Sequence, residues 1–228
     1  MKAINKKDCK GEEMKKITLI VLVVAFVATS ASAQTVVGTA HDLSTTLTTG
    51  SQVCAFCHTP HGSNVDAVLQ THAPLWNQDL SATSNFGTYA SDTFDATDLV
   101  AITDASYSDS LLCMSCHDGT VAPGSFYNEP NPTGNSSSAV AISSGANMGT
   151  DLSNDHPVNF TYASSVTGGD GGLVAEAGIV AYLDTGAVGG KVQCSSCHDP
   201  HNAAGDADVD FMRVSLAKSL LCTTCHMK

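Results

Sequence analysis

Basic residues are what this sequence most clearly lacks. The 228 residues hold ten Lys and Arg against 22 Asp and Glu, and six of the ten (Lys2, Lys6, Lys7, Lys10, Lys15, Lys16) precede residue 17. From residue 34 onward four bases face 19 acids, a formal charge of −15. A field of that sign excludes nucleic acid and anionic lipid as partners, because phosphate contacts need cations, and it suits an exported, soluble surface. Core-forming side chains are also few. The 43% hydrophobic content is inflated by alanine and by one N-terminal run, while long stretches are Ser, Thr, Gly, Asp and Asn. A chain of this length could bury an ordinary core, yet the material for one is missing.

A membrane-spanning run is missing too. The apolar stretch Ile17 to Ala28 falls short of the roughly 20 residues that cross a bilayer, so no membrane insertion is expected. Preceded by Met14-Lys15-Lys16 and followed by Ala31-Ser32-Ala33, it reads as a secretory signal peptide, with cleavage expected between Ala33 and Gln34. Met14 is a possible start. Cys9 lies within this 1–33 leader, and its loss leaves eight cysteines.

All eight fall into four C-x-x-C pairs, each followed at once by His: Cys54, Cys57 and His58; Cys113, Cys116 and His117; Cys194, Cys197 and His198; Cys222, Cys225 and His226. A lone C-x-x-C could be a redox dithiol or half of a zinc site. Neither needs the adjacent imidazole, and neither needs four copies. In c-type haem attachment the two thiols form thioethers to the vinyl groups and the next His ligates the iron. Four covalently bound c-type haems are therefore predicted. With so little other apolar material, the expected fold is mostly irregular coil with a few short α-helices, wrapped around a stack of four haems whose flat faces supply the buried surface.

The chain is internally duplicated. C-x-x-C-H-x-P-H occurs at 54–61 and 194–201, and Ser-Leu-Leu-C-x-x-C-H at 110–117 and 219–226, in the same order in both halves. First cysteines are 59 residues apart in the first copy and 28 in the second. Repeated units of this kind stack into arrays. The layout predicted is an N-terminal dihaem module at 34–119, a Gly, Ser and Pro-rich loop region at 120–190 that carries a distal His, and a C-terminal dihaem module at 191–228. A helix is expected to lead into the second motif. Leu173 to Leu183 could be helix or strand, and a packed unit without cofactor is not expected in the loop region.

Nine histidines are present, and four are proximal ligands. Four bis-histidine haems need four more, from His41, His61, His72, His156 and His201. A distal imidazole must reach the opposite face of the ring, and three residues span at most about 10 Å, so neither His61 nor His201 should serve its own haem. Each would tie its haem to another. Solvation is the ordinary fate of a surface His, but the matched spacing of these two favours ligation. His41 and His156 complete the set, and His72 is left over. Met114, Met148, Met212 and Met227 are the alternative ligands; Met would raise the potential, so the preferred full bis-His set implies low potentials. Asp206 to Asp210 resembles the start of a calcium loop but lacks its glycine and terminal Glu, and reads as a solvated acidic turn. Asn135 and Asn159 lie in weak glycosylation sequons.

Taken together, Cys54 to His61, Pro74-Leu75-Trp76-Asn77, Asp155-His156-Pro157, Cys194 to His201 and the terminal Cys222-x-x-Cys225-His226 resemble the doubled C-x-x-C-H multihaem cytochromes. Within these, the size and haem count resemble the extracellular cytochrome nanowire proteins of metal-reducing bacteria, of the tetrahaem OmcE type. The resemblance spans residues 34–228 but is specific only at the haem motifs. It implies a homopolymer whose haems form one continuous chain and in which one haem takes its distal His from a neighbouring subunit. His61 is the best candidate for that exchange and His41 the second, with a haem of the C-terminal module as acceptor. The expected function is electron transfer to other redox proteins or extracellular acceptors, not enzymatic catalysis, from an extracellular or cell-surface location. A monomeric periplasmic shuttle is the alternative. A multihaem reductase would need an iron with an open position, which the surplus of histidines disfavours.

Overall fold

The computed structural model describes residues 36–45, 52–64, 74–81, 83–103, 108–129, 142, 145–169, 171–184, 190–201 and 211–227. The chain divides into Met1–Gln34 and Thr35–Lys228. The first unit, with the leader, lies outside the described residues, as do His72, Asn135 and Asp206 to Asp210. Among the described residues no helix is long and apolar enough to cross a membrane.

Most of the backbone is irregular, and the short helices gather where the cysteines are. Helix α1 is Asp109–His117, α2 is Tyr162–Gly168, α3 is Cys194–Cys197 and α4 is Leu220–Cys225, while Val53–Phe56 forms a 3-10 turn. Helical winding brings residues three apart onto one face, so each C-x-x-C turns both sulfurs to the same side. In α1, Leu111 and Met114 face inward and Asp109 in the first turn complements the helix dipole. The helix stops at Gly119, whose φ of +74° suits a residue without Cβ; an added Cβ would lie 2.5 Å from the Asn147 amide.

Two small apolar clusters support these turns. Phe86, Ile102, Leu111 and Met114 form one, and Phe160, Tyr162, Ile179, Leu183 and Val192 the other. The second lies mostly within the segment expected to be loops, and there the structure differs from that reading. Strand β1, Phe160–Thr161, pairs antiparallel with β2, Lys191–Val192, with Phe160 opposite Val192. Leu173 to Leu183, open between a short helix and a strand from its sequence, forms two short 3-10 helices, Glu176–Gly178 and Val180–Tyr182. They place Ile179 and Leu183 on Phe160 and Tyr162. The Gly and Pro signal described the backbone correctly but masked these scattered apolar anchors.

The modules meet through a buried polar hub at Gln193. Its Oε1 accepts from the Ser108 and Ser110 hydroxyls at 3.0 and 2.5 Å, and its Nε2 donates to Asn159 Oδ1 at 3.1 Å. Lys191 Nζ donates to the same Asn159 oxygen at 3.3 Å, and Asn159 Nδ2 donates to the carbonyls of Val100 and Ala101. Satisfied buried amides of this kind fix one register. Asn159 is 0% exposed, so the sequon there is a packing residue, inaccessible to a glycan.

The same junction encloses Asp109. The Ser195 hydroxyl donates to its carboxylate, while its Oδ1 is buried without a partner among the described residues. Burial pushes the Asp109 pKa up from 3.8 to about 6. A carboxyl raised on folding contributes stability that is complete below its unfolded pKa and is lost as pH rises through the folded value. Asp109→Asn, which keeps an acceptor for Ser195, is therefore expected to leave the melting temperature unchanged below pH 4 and to raise it above pH 6. A difference that does not vary with pH would contradict this assignment.

Candidate haem-attachment site

Three of the motifs are closed by the same local bond. The amide of the ligand His donates to the carbonyl of the first Cys, at 2.9 Å in His58, 3.0 Å in His198 and 2.9 Å in His226. The duplication also persists at the next level. Thr59 and Asn77 amides bond the carbonyls of Leu75 and Cys57, and Asp199 and Arg213 amides bond those of Phe211 and Cys197 in the same pattern. His58 thereby bridges Trp76 as His198 bridges Met212. The residue before each bridge is left-handed, Leu75 at φ 57° and Phe211 at φ 67°. Two bulky side chains sharing that costly conformation mark equivalent positions.

The sulfurs run in sequence order. Cys57 of the first motif lies within electrostatic reach of Cys116 of the second. Cys113 of the second lies within electrostatic reach of Cys194 of the third, whose amide donates to Ser110 Oγ at 3.0 Å, and Cys197 of the third is within reach of Cys225 and Cys222 of the fourth. Cys54 and Cys222, at the two ends of this row, are the exposed thiols, while the other six are partly covered. Burial pushes the Cys57 pKa up to about 11 and that of Cys116 up to about 12. The interaction with Cys194, then burial, raises Cys113 well above the thiol range. Neutral, enclosed thiols are poor nucleophiles and poor zinc ligands; Cys194 is the exception, lowered by its interaction with Cys113.

The imidazoles meet in pairs. His41 faces His117 with ring centroids 6.1 Å apart, His58 faces His201 at 6.0 Å, and His156 faces His226 at 6.5 Å. Two imidazoles ligating one iron through bonds of about 2 Å have their ring centres roughly 6 Å apart, so each pair leaves the space of one metal. The far nitrogens are committed. His58 Nδ1–H donates to the Pro74 carbonyl at 2.6 Å, His117 Nδ1–H to Ala146 at 2.7 Å and His156 Nδ1–H to Pro157 at 3.0 Å. The His41 ring is held by the Pro200 carbonyl, and Phe211 stacks on it at 4.3 Å. A carbonyl on Nδ1 fixes the tautomer that presents Nε2 to a metal. Burial, then His117, lowers the pKa of both His41 and His198 and favours the neutral, ligating form.

Among the described residues no imidazole faces His198 or His61 at this separation, and His61 is exposed. Its carbonyl is fixed by Thr59 Oγ1 at 2.8 Å and by Asn128 Nδ2 at 2.5 Å. Met114 is used in the apolar cluster, and Met212 is buried opposite His198 along the backbone bridge. Trp76 belongs to the Pro74-Leu75-Trp76-Asn77 element of the resemblance, which assigned it no role. It stands edge-on to His58 at 6.2 Å with its indole Nε1–H buried and unpartnered among the described residues. An orphaned donor beside a proximal ligand fits a group bearing carboxylates, as haem does.

Residues 186–228 match the family model described as the doubled CXXCH motif. The match spans the third and fourth motifs and supports a multihaem c-type cytochrome, a class that holds its haem through these thiols and imidazoles and is typically exported. No curated protein matches the chain.

Proposed function

We propose that this protein is a tetrahaem cytochrome that passes single electrons along a row of four haems and polymerises into an extracellular conductive filament of the OmcE type. The observation that carries this reading is the set of three imidazole pairs 6.0 to 6.5 Å apart, with His198 and the exposed His61 left without such a partner among the described residues. Haem iron supplies the one-electron couple when bound. The chain would do the rest: the eight cysteines would hold the haems at fixed spacing and the imidazoles would ligate the irons, which favours low potentials over binding of a substrate.

Within one copy, His41 serves the haem of His117, His201 that of His58, and His156 that of His226. The duplication predicts the fourth ligand. His201, three residues beyond its own proximal His, reaches back to the first module, and His61 holds the matching position in the earlier copy. His61 of one subunit then ligates the haem of His198 in another. His72 remains unused.

Electron microscopy of the exported protein, with the mass of the covalently loaded chain, tests the reading. Filaments carrying four haems per subunit are expected; a monomer with four haems favours the periplasmic shuttle, and a chain without them ends the proposal. Replacing His41, His156 or His201 singly by Ala is expected to turn one low-spin haem high-spin without loss of covalent haem. A variant that keeps four low-spin haems breaks its assigned pair.

A further inference from the structure

Two modules of one sequence pattern already touch inside each chain, which supplies a template for how two chains touch. At the internal junction the first cysteine of the second motif, Cys113, meets the first cysteine of the third, Cys194. Phe211, in the left-handed position after the third motif, lies on the ring of His41, the distal-ligand candidate that precedes the first module's motifs. Advancing every partner by one module maps Cys113 onto Cys222, Cys194 onto Cys54, Phe211 onto Leu75 and His41 onto His156.

All four mapped residues are exposed. Cys54 and Cys222 are the exposed thiols, whereas Cys113 and Cys194 are partly covered. Leu75 is 52% exposed although it has the backbone bonding and positive φ of Phe211. His156 is exposed at the rim of an apolar depression lined by Phe86, Leu99, Val100, Leu152 and Val158, and Val100 is itself 39% exposed. An apolar side chain held outward in a costly conformation, and an apolar depression beside the matching imidazole, are complementary halves of one contact.

We infer that the surface joining two copies of this chain repeats its internal module junction, with Leu75 of one copy seated over His156 of the next as Phe211 is seated over His41. The occupant of each surface is a second copy, and the contact brings Cys222 of one against Cys54 of the other. The repeat is not complete. Val53 stands where Gln193 anchors the internal junction, so the joint between copies lacks the buried amide hub and depends more on the apolar seat.

The inference rests on the filament reading, and the test separates the two. In the full-length haem-loaded protein, Leu75→Asp removes the apolar contact while suiting a positive φ, since Asp tolerates that region better than Leu. Leu75→Phe installs the residue that the repeat carries at 211. Asp is expected to raise the concentration needed for assembly about tenfold or more, as loss of a buried leucine implies, and Phe to leave it unchanged or lower it. Amide exchange should show residues 75–76 and 153–158 more protected in filaments than in dispersed subunits. Leu75→Asp filaments forming at the wild-type concentration, or no added protection in either segment, would overturn the inference and leave the filament reading standing. A wild-type protein that stays monomeric at every concentration would end both.

Discussion

Deprived of haem, the exported chain will fail to fold. The longest described helix has nine residues, below the roughly 12–15 at which an isolated helix becomes even marginal in water. The sheet has two residues per strand, and the two apolar clusters contain four and five buried residues. Helices α1, α3 and α4 each carry their cysteine pair, and of the three α1 alone buries an apolar face, through Leu111, Leu112 and Met114. A formal charge of −15 from residue 34 onward adds self-repulsion to any compact state. Circular dichroism and amide exchange on the chain exported from cells lacking haem attachment should show coil and no protection. Single-site versions should be graded. Changing both cysteines to Ser in the second or third motif, which meet at the Cys113 and Cys194 contact, should lower the melting temperature more than the same change in the first or fourth. A cooperative melt of the haem-free chain would refute this account.

His61→Ala should abolish filaments while all four haems remain attached. Each copy has one imidazole, His61, with no iron to serve within the described residues, and one proximal ligand, His198, with no imidazole opposite it. Losing a metal bond that recurs at every joint removes the link itself, so the effect on assembly should be complete. One haem of the resulting monomer should become high-spin, and free imidazole should restore its low-spin spectrum without restoring filaments. His72→Ala should change neither property. Intact His61→Ala filaments, or loss of filaments in His72→Ala, would assign the link to another residue.

The sequence made the haem chemistry legible because attachment is local: two thiols and an imidazole within five residues carry the signal, and the Ser-Leu-Leu lead-in announced α1 in the same way. Ligand pairing was not legible, because His58 and His201, or His41 and His117, meet only through the packing of distant segments. Geometry excluded an own-haem role for His61 and His201 without saying where either would go. The Gln193 hub was invisible for a related reason. Its partners, Ser108, Ser110 and Asn159, are ordinary loop residues in sequence and become a network only when β2 lies beside β1. Phe160, Tyr162, Ile179 and Leu183 are spaced too irregularly to match a helix or strand period, so their cluster was read as loop.

The carbonyls that hold the paired imidazoles have an order of their own. His58 is tied to Pro74, His117 to Ala146 and His41 to Pro200, in every case a group later in the chain. A polypeptide threaded outward amino end first would present each of these histidines before the segment that locks it has emerged. Haem could then be joined to an open, accessible motif, and the backbone latch would close behind it. Maturation and folding would proceed together from one end of the chain to the other.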